Sequence, residues 1–181
     1  MATTSTRPMT FEEFEKLPDH PHGLRYELRH GGPILVPPPI HKHHLVQRRL
    51  MRLLEKAAGD AGEVSMEMGF RPLGEREYRI ADVIFLAKDR WDSIDRYLMG
   101  SPDLVVEVLS PSNTAAEIRD KRKLCLETGS LEFWIVDADL REVEVSTPGG
   151  HSVTYKTGQE IPLFFVENPG GGRLAVDEIF S

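Results

Sequence analysis

The chain is poor in cysteine, in long apolar runs and in net positive charge, and each shortage excludes something. Its 181 residues include one cysteine, Cys125, which rules out an internal disulfide and a thiolate zinc cluster and suits a reducing compartment. No apolar run approaches the roughly 18 residues of a membrane span. The opening MATTSTRPMT lacks the apolar stretch of a secretory signal, so the expectation is a cytoplasmic protein with no membrane partner. Lys and Arg number 22 against 29 Asp and Glu, a formal charge of −7, the wrong overall sign for a surface that tracks phosphates. The densest basic stretch is Lys42, Arg48, Arg49, Arg52 and Lys56 on a predicted helix. It reads as an ordinary solvated helix face before it reads as a DNA-binding stripe.

What is present is enough for one folded domain: 40% of the residues are hydrophobic, ample for a sizeable core. Residues 1–9 read as a disordered leader and 10–181 as a single domain, with no internal repeat and no linker to a second one. Thr10 and Glu13 form a capping-box pattern before a short helix. Leu24–Leu28 and Ile34–Val36 read as a hairpin turning at Gly31-Gly32, ended by Pro37, Pro38 and Pro39. Val46, Leu50, Leu53, Leu54 and Ala57 recur at helical spacing within a helix predicted over His43–Ala58, stopped by Gly59. Glu63–Met68 and Phe70–Leu73 are short strand candidates, and RIADVIFLA over 79–87 is a strongly apolar strand. A polar loop containing Trp91 leads to a second such strand over 103–109. A helix from Thr114 to Thr128 follows, capped by Thr114 and Glu117, and then a third apolar strand over 132–137. REVEVST, SVTYK and IPLFFV add shorter strands. Strand, helix and strand in succession make a βαβ-like unit within a mixed sheet. The predicted fold is α/β, a mixed central sheet flanked by helices, with additional N- and C-terminal hairpins.

Three charged residues stand where apolar ones belong. In strand 103–109, Leu104, Val106 and Val108 face one way, and Val105, Glu107 and Leu109 the other. With both faces apolar this is a central, doubly covered strand, and Glu107 is a carboxylate in a buried surface. Such a group is costly unless paired, hydrogen-bonded or bound to a cation. In strand 79–87, Asp82 is the one charged member of the face it shares with Ile80, Ile84 and Leu86. On the following helix, Lys121 lies three or four residues from Ile118, Leu124 and Cys125, so it points at the sheet, whereas Arg119 and Lys123 project elsewhere. Two acids and an amine from neighbouring elements suit metal-assisted hydrolysis. Hard oxygen ligands hold Mg2+ or Mn2+, and the lysine offsets charge on a phosphate.

At these residues the sequence resembles the Uma-two family of restriction-endonuclease-like proteins, in the PD-(D/E)XK nuclease superfamily. The resemblance covers nearly the whole chain: MTFEEFEKLP, RYELRHGGPI, the proline run before a His-bearing helix, ADVIF, SPDLVVEVLSPS, DKRKLCLETGSLEFWIVD and the closing DEIF. It implies a restriction-endonuclease-like fold and metal-dependent hydrolysis of phosphodiesters, with DNA as the substrate expected and a homodimer as the assembly. The motif acid carries over to Asp82 and the acidic (D/E) position to Glu107. The superfamily lysine two residues on is replaced by Leu109 and falls instead on Lys121, which the helical stripe had reached on its own. Ala81 stands in place of the usual proline, and Cys125 in place of a family tyrosine. Glu27 matches a recurrent glutamate and reads either as a further metal or water ligand or as a hairpin ion pair with Arg25 or Arg29. His43 and Gln47 read either as site members or as helix-start and surface groups.

Other signals lead nowhere. His20, His22, His41, His43 and His44 have no partner ligands at zinc-site spacing. Ser110 and Ser112 lack a nucleophile elbow, Gly170-Gly171-Gly172 opens no phosphate-binding helix, and Cys125 sits on a core stripe. Two rivals to the nuclease remain. One is a nuclease-like binding or assembly module without turnover, favoured by the acidic charge. The other is a hydrolase of a smaller phosphate ester.

Overall fold

Local sequence signals place most of the elements. The structure, a computed structural model, describes residues 7–18, 24–111, 113–166 and 171–181. Residues 1–6 of the expected leader lie outside that range, as do His20, His22, Ser112 and Gly170. Residues 7–9 are tied to the domain, with Met9 N–H donating to the Gly31 carbonyl at 2.8 Å. Helix α1 (Phe11–Phe14) carries the reciprocal Thr10–Glu13 cap. Strands β1 (Arg25–Arg29) and β2 (Gly32–Val36) form the expected hairpin. Gly31 has φ +79 there, and a Cβ would lie 2.5 Å from that of Pro8, so only glycine fits.

Helix α2 (His41–Ala58) starts two residues earlier than the hydrophobic spacing indicates, because Ile40 in extended backbone serves as its N-cap. Strand β3 (Gly62–Arg71) is continuous where two short strands were expected, and β4 (Arg79–Ala87) pairs with it at every residue but Asp82. The loop expected around Trp91 contains helix α3 (Lys88–Asp92), whose single turn is spanned by the Lys88–Asp92 ion pair. Next come β5 (Leu98–Met99), β6 (Leu104–Val108) and α4 (Ala115–Glu127) with its Thr114–Glu117 capping box, then β7 (Glu132–Asp137). The chain closes with β8 (Glu142–Thr147), β9 (His151–Lys156), β10 (Glu160–Leu163), β11 (Gly172–Ala175) and α5 (Val176–Phe180). β5, β11 and α5 are too short to show a period in the sequence.

The central sheet is mixed and seven-stranded, ordered β5-β3-β4-β6-β7-β8-β9. β6 is its middle strand and is buried along its whole length, as its two apolar faces require. β6 and β7 are parallel and joined through α4, the βαβ unit read from the sequence. The β8–β9 hairpin extends this sheet and is not a separate terminal ribbon, while β1–β2 and β10–β11 each form a small sheet of their own. On one face α2 and α5 pack Val46, Leu50, Leu54 and Ile179 against Val83, Phe85, Val106 and Trp134. On the other, Cys125 of α4 packs with Ile84, Val105 and Phe133. Helices thus brace both faces of the strand that carries Glu107. No described helix is long and apolar enough to cross a membrane.

Candidate active site

The site begins where two central strands part. The β4–β6 ladder consists of Phe85↔Leu104, Ile84↔Val105 and Val83↔Val106, and stops there. The next residues along each strand are Asp82 and Glu107, which therefore face one another just past the last pair. Asp82 fills the gap with its side chain: Val108 N–H, which a continuing ladder would have paired with backbone, donates to Asp82 Oδ2 at 2.7 Å.

Each helix reaches the fork from its own face of the sheet. From α4, Lys121 Nζ lies 2.7 Å from Glu107 Oε1 and donates to the Ile80 carbonyl at 2.6 Å. Ile80 N–H in turn donates to Glu27 Oε1 at 2.8 Å, and Glu27 Oε1 is 3.6 Å from Lys121 Nζ. Arg29 Nε completes the Glu27 contacts at 2.6 Å. The hairpin ion pair with Arg29 is present, and the same carboxylate lies on the cleft lining. From α2, His43 Nε2 lies 3.0 Å from Asp82 Oδ2 and 2.9 Å from the Val108 carbonyl. One turn later Gln47 donates to Asp82 Oδ1 at 2.9 Å. The five residues Asp82, Glu107, Lys121, Glu27 and His43 all line one cleft of about 420 Å3, and Gln47 supports it from beneath.

Glu67 also belongs to this assembly, against its pattern in the sequence. Alternation in β3 puts Val64, Met66, Met68 and Phe70 on one face, so Glu67 reads as a solvent-facing residue. In the structure the β3–β4 pairing omits Glu67 and the Asp82 opposite it. Glu67 has φ +56, a left-handed conformation uncommon for a residue bearing Cβ. Its carboxylate accepts from Gln47 at 2.6 Å and pairs with Arg25. Glu67, Asp82 and Glu107 thus form a row of acids across three adjacent strands.

The electrostatics separate these groups. Burial pushes the Glu107 carboxyl up to about 7, against the pull of Lys121 and with the Asp82 charge adding to the rise. Burial would raise Glu27 as well, but Lys121, Arg29 and the Ile80 amide outweigh it and hold Glu27 below the usual carboxylate range. For Lys121, burial opposes the charge, yet Glu107, Glu27 and Asp82 raise it above an ordinary lysine. His43 is raised too, because the bond to Asp82 and its charge overcome desolvation.

The donor set fits a hard divalent cation better than zinc. Among the described residues no three side chains of His, Cys, Asp and Glu are gathered closely enough to enclose a metal. The fork instead offers two carboxylates beside an open cleft, which suits an ion that keeps several of its waters. Glu107 Oε1 is buried without a partner at hydrogen-bond angles, its ion-pair contact with Lys121 notwithstanding. An acid in that state gains from a second positive charge.

The basic stretch on α2 points outward. Arg48, Arg52 and Lys56 are exposed and have no ion-pair partner among the described residues, whereas Lys42 pairs with Asp139 and Arg49 donates to the Ile179 carbonyl. A family model described as "Uma2: Putative restriction endonuclease" matches residues 11–168. The chain also superposes on a crystal structure from Anabaena variabilis, described as a "putative nuclease", with a TM-score of 0.83 and 21% identity. That match covers 96% of this chain and 98% of the other, and it establishes a shared fold. The search of curated proteins found no match.

Proposed function

The chain belongs to the Uma2 family, and from that premise we propose that it is a Mg2+- or Mn2+-dependent nuclease that hydrolyses phosphodiester bonds in DNA. The observation that carries this reading is the fork. Asp82 and Glu107 face each other past the last ladder pair, with Lys121 Nζ 2.7 Å from Glu107, in a cleft open to substrate.

Asp82 and Glu107 would hold the cation, which when bound supplies positive charge to a phosphate oxygen and acidifies a water. Lys121 keeps its proton, so it serves as a fixed positive charge and hydrogen-bond donor toward the phosphate and not as a base. Its amine is held by the Ile80 carbonyl and by Glu27, and this fixes its position before substrate arrives. His43 contacts Asp82 Oδ2 and Gln47 donates to its Oδ1, and together they would orient the carboxylate, the role that outer partners play around ligating carboxylates. A homodimer, the assembly that the family resemblance implies, is part of the proposal.

The test is cleavage of DNA by the purified chain with Mg2+ or Mn2+, beside Asp82→Ala and Lys121→Ala. Each substitution is expected to reduce the rate by about 10^2- to 10^3-fold. Cleavage that survives in both variants rejects the site. Tight metal-independent DNA binding with no cleavage supports a binding module in its place.

A further inference from the structure

We infer that the cleft takes nucleic acid whose bases are unpaired at the scissile phosphate, a single strand, flap or bubble, and not a continuous duplex. This rests on the nuclease reading above and adds the class of substrate.

The reacting groups are recessed. Glu107 and Lys121 are each 6% exposed and Glu27 2%, so a phosphate must descend into the cleft to meet them. The cleft volume of about 420 Å3 is that of a small-ligand pocket. A duplex is a stiff rod, and lowering one of its phosphates into such a recess requires bending or local unpairing. A single strand bends freely and can enter.

Beside the acids, one continuous stretch of the cleft lining is apolar. It is made by β2 and the chain after it, with Ile34 and Leu35 each 40% exposed and Ile40 54% exposed, and with Pro37, Pro38 and Pro39 between them. Large exposed apolar side chains gathered at a cleft mark a contact surface. Aliphatic and proline groups are also the ones that proteins wedge against unstacked bases. In a continuous duplex the base faces are stacked away, and this wall would meet only charged backbone. The proline run also fixes the wall in advance, so little ordering is needed when a strand binds.

The charges in the cleft point the same way. A second phosphate ribbon needs free cations, and among the described residues of the lining each basic side chain already has an acidic partner, His43 having Asp82. Arg29 is held by Glu27 and Glu117, at 2.6 and 2.7 Å. Lys121 is held by Glu107, and the neighbouring Arg25 is paired with Glu67. Against these stand the carboxylates of Glu27, Glu67, Asp82, Glu107 and Glu117 on the same lining. With a divalent cation in the fork the site can neutralise one phosphate. The complementary strand of a duplex would bring further negative charge against acids.

The experiment uses the full chain with Mn2+ and three end-labelled DNAs of one sequence: single-stranded, fully paired, and paired with a central unpaired bubble. Single-stranded and bubble DNA are expected to be cut about tenfold faster than duplex, the size of a modest unpairing penalty. Cuts in the bubble substrate should fall within its unpaired segment. The surface double variant Ile34→Asn/Ile40→Asn should narrow the ratio of single-strand to duplex cleavage several-fold. Duplex cut as fast as single strand, or an unchanged ratio in the double variant, overturns the inference while leaving the nuclease intact. No cleavage of any of the three overturns the nuclease reading, and this inference with it.

Discussion

Two charge networks with buried members lie on either side of Ile80, and they differ in how completely they are satisfied. In one, Arg79 is 1% exposed and gives its Nε to Glu77 and its NH2 to Asp120, both at 2.9 Å. His30 contacts the same two carboxylates through both ring nitrogens, and its N–H donates to Glu77. Every charge there has an opposite neighbour. In the other, Glu107 has Lys121 beside it but is still pushed up to about 7, and His43 Nδ1 and Gln47 Oε1 are buried without hydrogen-bond partners. The first network has the pairing expected of a structural element; the second leaves polar atoms unmet beside an open cleft. Incomplete satisfaction, more than burial of charge, is what marks a place built to receive something.

The largest effect expected from this contrast is in stability. Arg79→Met strips the guanidinium from the buried Glu77, which keeps only the exposed His30 beside it, and should cost about 3 kcal/mol in urea unfolding. Lys121→Met should cost clearly less, because Glu107, half-protonated near neutrality, takes up its proton when the amine is gone and Glu27 keeps Arg29, while cleavage is lost. Equal destabilisation by the two substitutions would remove the distinction between the networks.

A pH titration of stability in chelator sharpens it. Glu107 has a folded pKa of about 7, above its ordinary 4.5, so the native state holds more protons between those values and stability falls as pH rises through that window. Glu107→Gln should flatten that slope. Asp120 has the opposite sign. Burial works against its charge, but Arg79 and His30 hold it below 3.8, so its contribution is present above that value and is lost as acid protonates it. Asp120→Asn should therefore alter the acid limb alone. The smallest effect expected is at the start of the helix that delivers Lys121. Thr114→Ala removes one half of the α4 capping box and should cost about 1 kcal/mol in thermal or urea unfolding, with cleavage by the remaining folded protein unchanged.

Much of this was legible before any coordinates. Apolar strands with an acid set among their buried positions, and a lysine on an apolar helical stripe, singled out Asp82, Glu107 and Lys121. That was so because burying a charge is costly enough to stand out in a periodic pattern. The capping boxes at Thr10 and Thr114 placed two helix starts to the residue. Glu67 was not legible. Its alternation assigns it to solvent, and only the register with Asp82 and a left-handed backbone turn it toward Gln47. Arg79 and Glu77 were missed for a related reason, since their partners Asp120 and His30 are distant in sequence.

The sequence by itself determined the order of the longer elements, the central position of β6 and the identity of three charged groups on otherwise apolar faces. These follow from local rules of alternation, helical spacing and capping. Only the tertiary structure decided that β4 and β6 part after Val83 and Val106, that α2 and α4 reach the gap from opposite faces, and that the proline run walls it. Strand register and helix placement are set by packing between residues far apart in the chain, and no local pattern records them.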